Sequence, residues 1–436
     1  MKTSFGIKFT GIISLLFCLG IASSLGAVKY VKADASGANN GASWDDAFYN
    51  LQSALSAASS GDEIWVAKGT YLPTSGTDTL ISFQMKSQVN MYGGFIGNET
   101  NLSQRDCWTN ETILSGSISG GKSKNVVIGA SNSIIDGFII SDAYCFPMAS
   151  GGGMLAKSGQ TIRNCTFRNN SATLGAGICF SANSTSISLK NCLFYSNSAD
   201  HGSAIYNDVG ASAIVENCTV YGNSDIYGSC VFAAGSAMQV KNSIVWGNNI
   251  NPQISCNNIS YCNVNTDPLF ANTASHNFHL KSQGGRWDGL KWVYDAQTST
   301  CIDAGDPASS YSNETSPNGG RINMGVYGNT IYASRTYVPV TVTFAAGDNG
   351  TLTGTTSQTV PQGGTCSAVT AVSNTNYHFS SWSGDYVGTD NPLTVSNVSA
   401  NMNITANFAI DAYTVNFDLG DKGTRSGGGA LSQTIN

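Results

Sequence analysis

Charged side chains are scarce in this sequence. Asp, Glu, Lys and Arg make up 11% of its 436 residues, against about a quarter in most soluble domains. A net charge of −6 offers no basic footprint for nucleic acid. Histidine is rarer still, with four residues. His276, His279 and His378 stand isolated, so no Ser-His-Asp pattern can be assembled. No apolar run beyond the N-terminus is long enough to span a membrane. What the chain does have is glycine, 49 residues of it, and much Asn, Ser and Thr. That composition suits stacked coils with polar, uncharged surfaces.

The stretch 131–264 repeats itself. Ile162-Arg163-Asn164-Cys165-Thr166-Phe167 returns as Leu189-Lys190-Asn191-Cys192-Leu193-Phe194, as Val215-Glu216-Asn217-Cys218-Thr219-Val220, and as Val240-Lys241-Asn242-Ser243-Ile244-Val245. The asparagines are spaced by 27, 26 and 25 residues. A weaker copy, Ile134-Ile135-Asp136-Gly137-Phe138-Ile139, lies 28 residues upstream. A period of this size marks a solenoid. Strand side chains alternate with a period of two, so Ile162 and Cys165 cannot both face inward on one unbroken strand. The parity flips at Asn164, Asn191, Asn217 and Asn242, which predicts a bend at each, since Asn tolerates the left-handed backbone of a sharp corner. Stacking is expected to align their amides as an inward hydrogen-bonding ladder. Asn170, Asn197, Asn223 and Asn248 repeat the device at a second corner, and glycines follow at a third (Gly151, Gly175, Gly202, Gly228). Three strands and three corners per coil make a parallel β-helix. Cys165, Cys192 and Cys218 share one register and are expected to stack inward as free thiols. Cys256 with Cys262, and Cys107 with Cys145, are the pairs open to disulfide formation; the cysteine spacings do not resemble a zinc site.

These repeats resemble right-handed parallel β-helix proteins of the pectate-lyase type. The tags Phe167 to Asn170, Phe194 to Asn197 and Gly202 to Ile205 also resemble repeats of bacterial polymorphic outer-membrane proteins. The resemblance implies an all-β, right-handed parallel β-helix solenoid. It implies little chemistry, because the matching residues are structural.

The rest of the chain divides around this solenoid. Lys2 and Lys8, the apolar run Gly11 to Ala22 and the small residues up to Ala27 predict a signal peptide over 1–27, hence a secreted or cell-surface protein. Phe17 before Cys18 argues against lipidation. Ser43 is the expected N-cap of a helix carrying Trp44, Ala47, Phe48, Leu51, Ala54, Leu55 and Ala58 at helical spacing. With Ile64-Trp65-Val66-Ala67, this block resembles the N-terminal helical cap of secreted bacterial β-helix proteins. Asp267-Pro268-Leu269-Phe270, Cys301 to Pro307 and Gly319 to Gly328 resemble a choice-of-anchor Q module, so 28–334 is read as β-helix with cap and Q-like C-terminal part. Asp303, Asp306 and Arg321 there are read as a C-terminal coil and cap with an internal ion pair, in preference to a catalytic or calcium site.

From Val338 the texture changes. Val340, Val342 and Phe344 alternate, Asn349-Gly350 predicts a hairpin turn with Thr351-Leu352-Thr353 returning, and Trp382 is expected to anchor a core. Residues 338–410 resemble a divergent internalin-B-type repeat, a small β-grasp-like module of bacterial surface proteins. Residues 413–436 start what resembles another and stop before it is complete, which leads to the expectation of a longer parent protein.

The search for chemistry finds little. Polysaccharide lyases and hydrolases on such a fold need clustered carboxylates and a base. The repeats hold only Asp136, Asp142, Asp200, Asp208, Glu216 and Asp225, with no two in one register of adjacent coils, loop positions apart. Asp200-His201-Gly202 resembles, faintly, the Gly-His-Gly of pectin hydrolases, but aligns with a loop. No catalytic, cofactor-binding or metal-ligating residue, and no cofactor, is assigned. The residue after the inward Phe or Val faces outward by parity, which predicts an exposed file of Arg168, Tyr195, Tyr221 and Trp246 at about 4.8 Å per coil, about 14 Å in all. Flat aromatic faces suit sugar rings. A self-stacking ladder that only stabilises the coils is the preferred reading of this file, and sugar binding the other. The expected function is therefore an adhesin-like or glycan-binding structural protein, its partner an extracellular polysaccharide or cell-surface glycan. The alternative is a carbohydrate-active enzyme acting on pectin-like or other polysaccharide.

Overall fold

A computed structural model describes residues 26–235, 237–264 and 266–435. Most of the expected signal peptide, residues 1–25, lies outside the described residues. The chain from Val28 to Ser260 winds into a parallel β-solenoid. Its first sheet has nine strands, from Val28–Val31 to Asn258–Ser260; a second has seven, ending at Ile244–Trp246; a third has four; a fourth has seven, ending at Ile254–Ser255. Every strand pair within these four sheets is parallel and runs coil to coil.

One coil shows the plan. Thr161–Arg163, Thr166–Arg168, Ser171–Leu174 and Ile178–Phe180 lie one each in the four sheets. The expectation of three strands and three corners is therefore corrected to four of each in the central coils. The missed strand has small inward residues, Ala172 and Ala199, which carry little apolar signal. Asn164, Asn191, Asn217 and Asn242 take φ of 52°, 49°, 52° and 51°, so the bend sits where parity placed it. At the second corner the bend falls one residue before the asparagine, on Asn169, Ser196, Gly222 and Gly247, all at positive φ.

The two asparagine rows then part company. The second row forms the internal ladder. Asn170 Nδ2 donates to Asn197 Oδ1 (3.1 Å), Asn197 Nδ2 to Asn223 Oδ1 (2.9 Å), and Asn223 Nδ2 to Asn248 Oδ1 (3.0 Å). Each amide also serves the preceding coil, as Asn197 Nδ2 does by donating to the Phe167 carbonyl (2.9 Å). Gln253 closes the row, its Oε1 accepting from Asn248 Nδ2 (2.9 Å). The first row does not form the expected inward ladder. A residue in the left-handed conformation at the flip of parity turns its side chain away from the coil interior, and these amides bond to other partners described below.

The interior is a set of columns. Ile135, Ile162, Leu189, Val215 and Val240 stack in register and are at most 1% exposed. Phe167 and Phe194 stack face to face at 4.8 Å. Cys165, Cys192 and Cys218 are fully buried in the same core, and all eleven cysteines among the described residues are free, Cys107, Cys145, Cys256 and Cys262 included. The entry lid is shorter than its periodicity predicts. The helix is Leu51–Ala57, capped by Asn50, whose side chain accepts from the Ser53 amide (2.9 Å). Trp44, Ala47 and Phe48 precede it, held in a loop by Asp46, which accepts from the Ala38 amide and the Ser43 hydroxyl. Leu51, Ala54 and Leu55 still close the first coil by packing on its core.

Residues 267–334 are not a further coil. They run as a strap along the outer face of the second sheet. Asn191 Nδ2 donates to the carbonyls of Val326 (2.9 Å) and Gly328 (2.8 Å), and Asn217 Nδ2 to that of Asn323 (3.0 Å). Asn242 accepts from the Asp306 amide (2.7 Å) and donates to Ser309 Oγ (3.0 Å). A Cβ on Gly328 would sit 2.1 Å from Asn217 Nδ2, so only glycine allows this approach.

The C-terminal module has a four-stranded sheet built on Met402–Ile410, with Trp382 fully buried and its Nε1 donating to the Asp390 carbonyl (2.8 Å). The expected hairpin at Asn349-Gly350 is corrected. Pro339–Ala346 pairs with Ser357–Pro361, while Gly350–Thr353 pairs with Thr370–Ser373. Gly350 lies under the Phe408 ring, which leaves no room for a side chain. Residues 413–435 contain a two-stranded hairpin, Tyr413–Asn416 with Ser432–Ile435.

Candidate functional site

The outward file is in register as parity required: Arg168 beside Tyr195, Tyr195 beside Tyr221, Tyr221 beside Trp246. Its exposure is corrected. Tyr195 is 6% exposed, and Arg168, Tyr221 and Trp246 are half-buried. Tyr195 stacks on His276 at 4.4 Å; Tyr221 meets Phe270 and Phe278 at 5.8 and 5.4 Å. Arg168 Nη1 donates to the Tyr195 hydroxyl (3.1 Å). An aromatic row is a large apolar surface, and here the strap buries it with Phe270, Phe278, Leu280 and Val326. Tyr195, Tyr221 and Trp246 form the floor under the strap.

The charged residues of the repeats neutralise one another in a second file. Asp136, with no exposure, receives Arg105 Nη2 (2.5 Å), Arg163 Nε (2.6 Å) and Asn164 Nδ2 (2.8 Å). Three coils on, Glu216 lies between Lys190 (2.5 Å) and Lys241 (3.0 Å). Burial works against the Glu216 carboxylate, but the two lysines outweigh it and hold its pKa below the ordinary range. The Glu216 carboxylate is thereby held as an anion and is a poor proton donor near neutrality.

The other candidates lie apart from these ion pairs, in local contacts of their own. His201 faces Tyr227 and Phe232 at 6.0 and 5.6 Å. Nearby Asp225 accepts from the backbone and side chain of Ser203; burial raises its pKa, and those hydrogen bonds oppose the rise. The ion pair expected of Arg321 is absent: its guanidinium donates to the carbonyls of Gly305 and Ala304, and Asp303 accepts from Thr336 Oγ1 (2.7 Å). Among the described residues, no three His, Cys, Asp or Glu side chains converge on a point that could hold a metal ion.

Among the open depressions of the described residues, two are the most spacious of those compared. One, of about 570 Å³, lies between the 101–108 loop and the strap at Ile331 and Tyr332. Its charges are already paired, Arg105 with Asp136, and Asp106 with the Tyr332 hydroxyl (2.9 Å). The other, of about 580 Å³, crosses four coils on the first sheet. Its floor is the in-register file Ser188, Ile214, Gln239 and Asn258. Ser186, Ser212, Ala237 and Asn257 line its side; among the described residues none of its lining is charged, and the paired file Lys190, Glu216 and Lys241 follows two residues along the same strands. Ile214 is 45% exposed. The groove runs along the solenoid axis for three coil spacings, about 14 Å. Sequence reasoning missed it, although the signal was available: three residues before each first-row asparagine, parity points outward, and Ser188, Ile214 and Gln239 carry no charge.

Comparisons with known proteins find likenesses to parts of the chain. Residues 340–412 match the divergent InlB B-repeat domain family, and residues 212–305 match a family described as disaggregatase related. No curated protein matches the chain. Among solved structures, the pectate lyase Pel9A is similar over 70% of this chain and 96% of its own, at 11% identity and a TM-score of 0.35. The chain is a parallel β-solenoid protein carrying an InlB-like repeat.

Proposed function

We propose that this is a secreted or cell-surface protein with a polysaccharide-related role, and that it binds an uncharged polysaccharide in the open groove of the first sheet. The observation that carries the reading is the groove itself: four coils long, free of charged side chains, with Ser, Asn and Gln presenting donors and acceptors on either side of Ile214. A linear neutral glycan offers hydroxyls to such a floor and apolar ring faces to Ile214. Each neutral hydrogen bond contributes about 1 kcal/mol net, so one groove binds weakly, and tight attachment requires several copies on one surface. The family match over 212–305, described as disaggregatase related, covers the coils that hold Ile214, Gln239 and Asn258 and supports a role at surfaces or polysaccharides. The paired carboxylates favour binding over cleavage.

The test is a glycan array with the intact chain, followed by titration of the best neutral glycan against Ile214→Lys. This substitution is on an exposed position and leaves the core alone. A loss of affinity of at least tenfold is expected. Unchanged binding would reject the groove, and release of unsaturated or reducing-end sugars would replace binding with an enzymatic reading.

A further inference from the structure

The two ends of the solenoid differ. At the entry, Leu51, Ala54 and Leu55 of the short helix close the core over Val31 and Ile64, all at most 3% exposed. At the exit, the same columns run out into the open. The column Ile135, Ile162, Leu189, Val215, Val240 ends in register at Ile259, which is 39% exposed where its predecessors are at most 1%. The column Ile178, Ile205, Val231 ends at half-buried Ile254. Ile250, Cys256 and Cys262 of the last coil also pack on the core while only partly buried. Asn258–Ser260 and Ile254–Ser255 are the terminal strands of their sheets. The strap, which could have closed this end, turns back along the second sheet to Asn242, Asn217 and Asn191.

We infer that this exit end is a docking surface for a second copy of the chain, joined tail to tail about a two-fold axis. Three features select that occupant. First, the edge offers backbone donors and acceptors, which antiparallel pairing with a like edge satisfies. Second, a two-fold interface brings each surface against itself, so any net charge would face its own sign. From Asn242 to Thr266 the sequence carries no charged side chain; the strap's Arg321 lies over the Tyr261 ring at 5.5 Å, with its guanidinium bonded to the carbonyls of Gly305 and Ala304. Edge strands in soluble proteins are commonly protected by charge, and this one is not. Third, head-to-tail stacking is blocked because the opposite end is shut by the helix. The pairing places Ile259 and Ile254 of both copies in one continuous core and doubles the solenoid's length.

Sedimentation velocity on the full chain tests this at micromolar concentration. The wild type is expected at twice the monomer mass, and Ile259→Lys and Asn258→Lys each at monomer mass. Ile214→Lys, which adds the same charge to the same sheet away from the end, is expected to remain dimeric. Far-UV circular dichroism checks that each variant is folded. Asn258 is exposed, so its substitution decides the matter should Ile259→Lys fail to fold. A monomeric wild type, dimers that survive Asn258→Lys, or a ladder of higher oligomers would each overturn the inference. Mass is the readout, so the result is independent of glycan binding.

Discussion

Two rows of asparagine, six residues apart in the same coils, do opposite work. The inner row, Asn170 to Asn248, bonds to itself and to the coil before it. The outer row, Asn191 to Asn242, reaches carbonyls and amides about 60 to 140 residues away in the strap. The residue type is the same; the difference is which residue takes the left-handed bend. When the asparagine itself bends, its amide turns outward and becomes a docking point. When the preceding residue bends, the amide stays inside and must be satisfied by its own kind. The inner row holds the coils together, and the outer row holds another segment onto them.

Breaking the inner row should have the largest effect. Asn197→Ala removes the acceptor of Asn170 Nδ2 and the donor to the Phe167 carbonyl, both buried. Stranding buried polar groups costs about 1–3 kcal/mol each, so a loss on the order of 3 kcal/mol is expected in urea unfolding. A loss below about 1 kcal/mol would mean that the ladder is dispensable.

The strap should differ from the coils in its response to pH. Burial raises the pKa of Glu314 from 4.5 to about 7; the Asn329 and Asn323 amides oppose the rise, and nearby Asp303 adds to it. The folded state therefore holds the proton more tightly than the unfolded state. The stability contributed is full below 4.5 and is lost as pH rises through about 7. From about pH 5 to about pH 8 the strap is expected to lose on the order of 2 kcal/mol, measured by proteolysis of residues 267–334, and Glu314→Gln should flatten the profile. A strap equally protected at both values would refute this.

The smallest effect is expected from Asn217→Gly, which keeps the left-handed backbone and deletes one outer amide. It should cost about 1 kcal/mol and speed cleavage of the strap, while the unfolding of the coils stays unchanged. An equal loss in both would erase the distinction between the rows.

Much of the solenoid was legible because its rules are local. Parity located the bends at Asn164, Asn191, Asn217 and Asn242, the inward thiols and the shared register of Tyr195, Tyr221 and Trp246. The third sheet escaped because Ala172 and Ala199 bury too little apolar surface to mark a strand. The covering of Tyr195 escaped for a different reason. Whether an outward side chain meets water or a distant segment is decided by Phe278, 83 positions later, and no local period carries that information. For the candidate site, parity marks the aromatic rings of Tyr195, Tyr221 and Trp246, whereas the open surface is made of Ser188, Ile214, Gln239 and Asn258.

The inner row also has a grammar. Each asparagine takes from one neighbour and gives to the other, and Gln253 serves as the full stop. Any coil written in this grammar can follow any other. Removing one whole unit would bring two compatible faces together, and inserting one would leave no seam. A gene for such a wall can lengthen or shorten by unequal recombination in steps of one coil. What constrains the length of this wall is then its two outer fittings, the entry helix and the strap, whose Asp306, Asn323 and Val326 must still meet the outer asparagines of the coils.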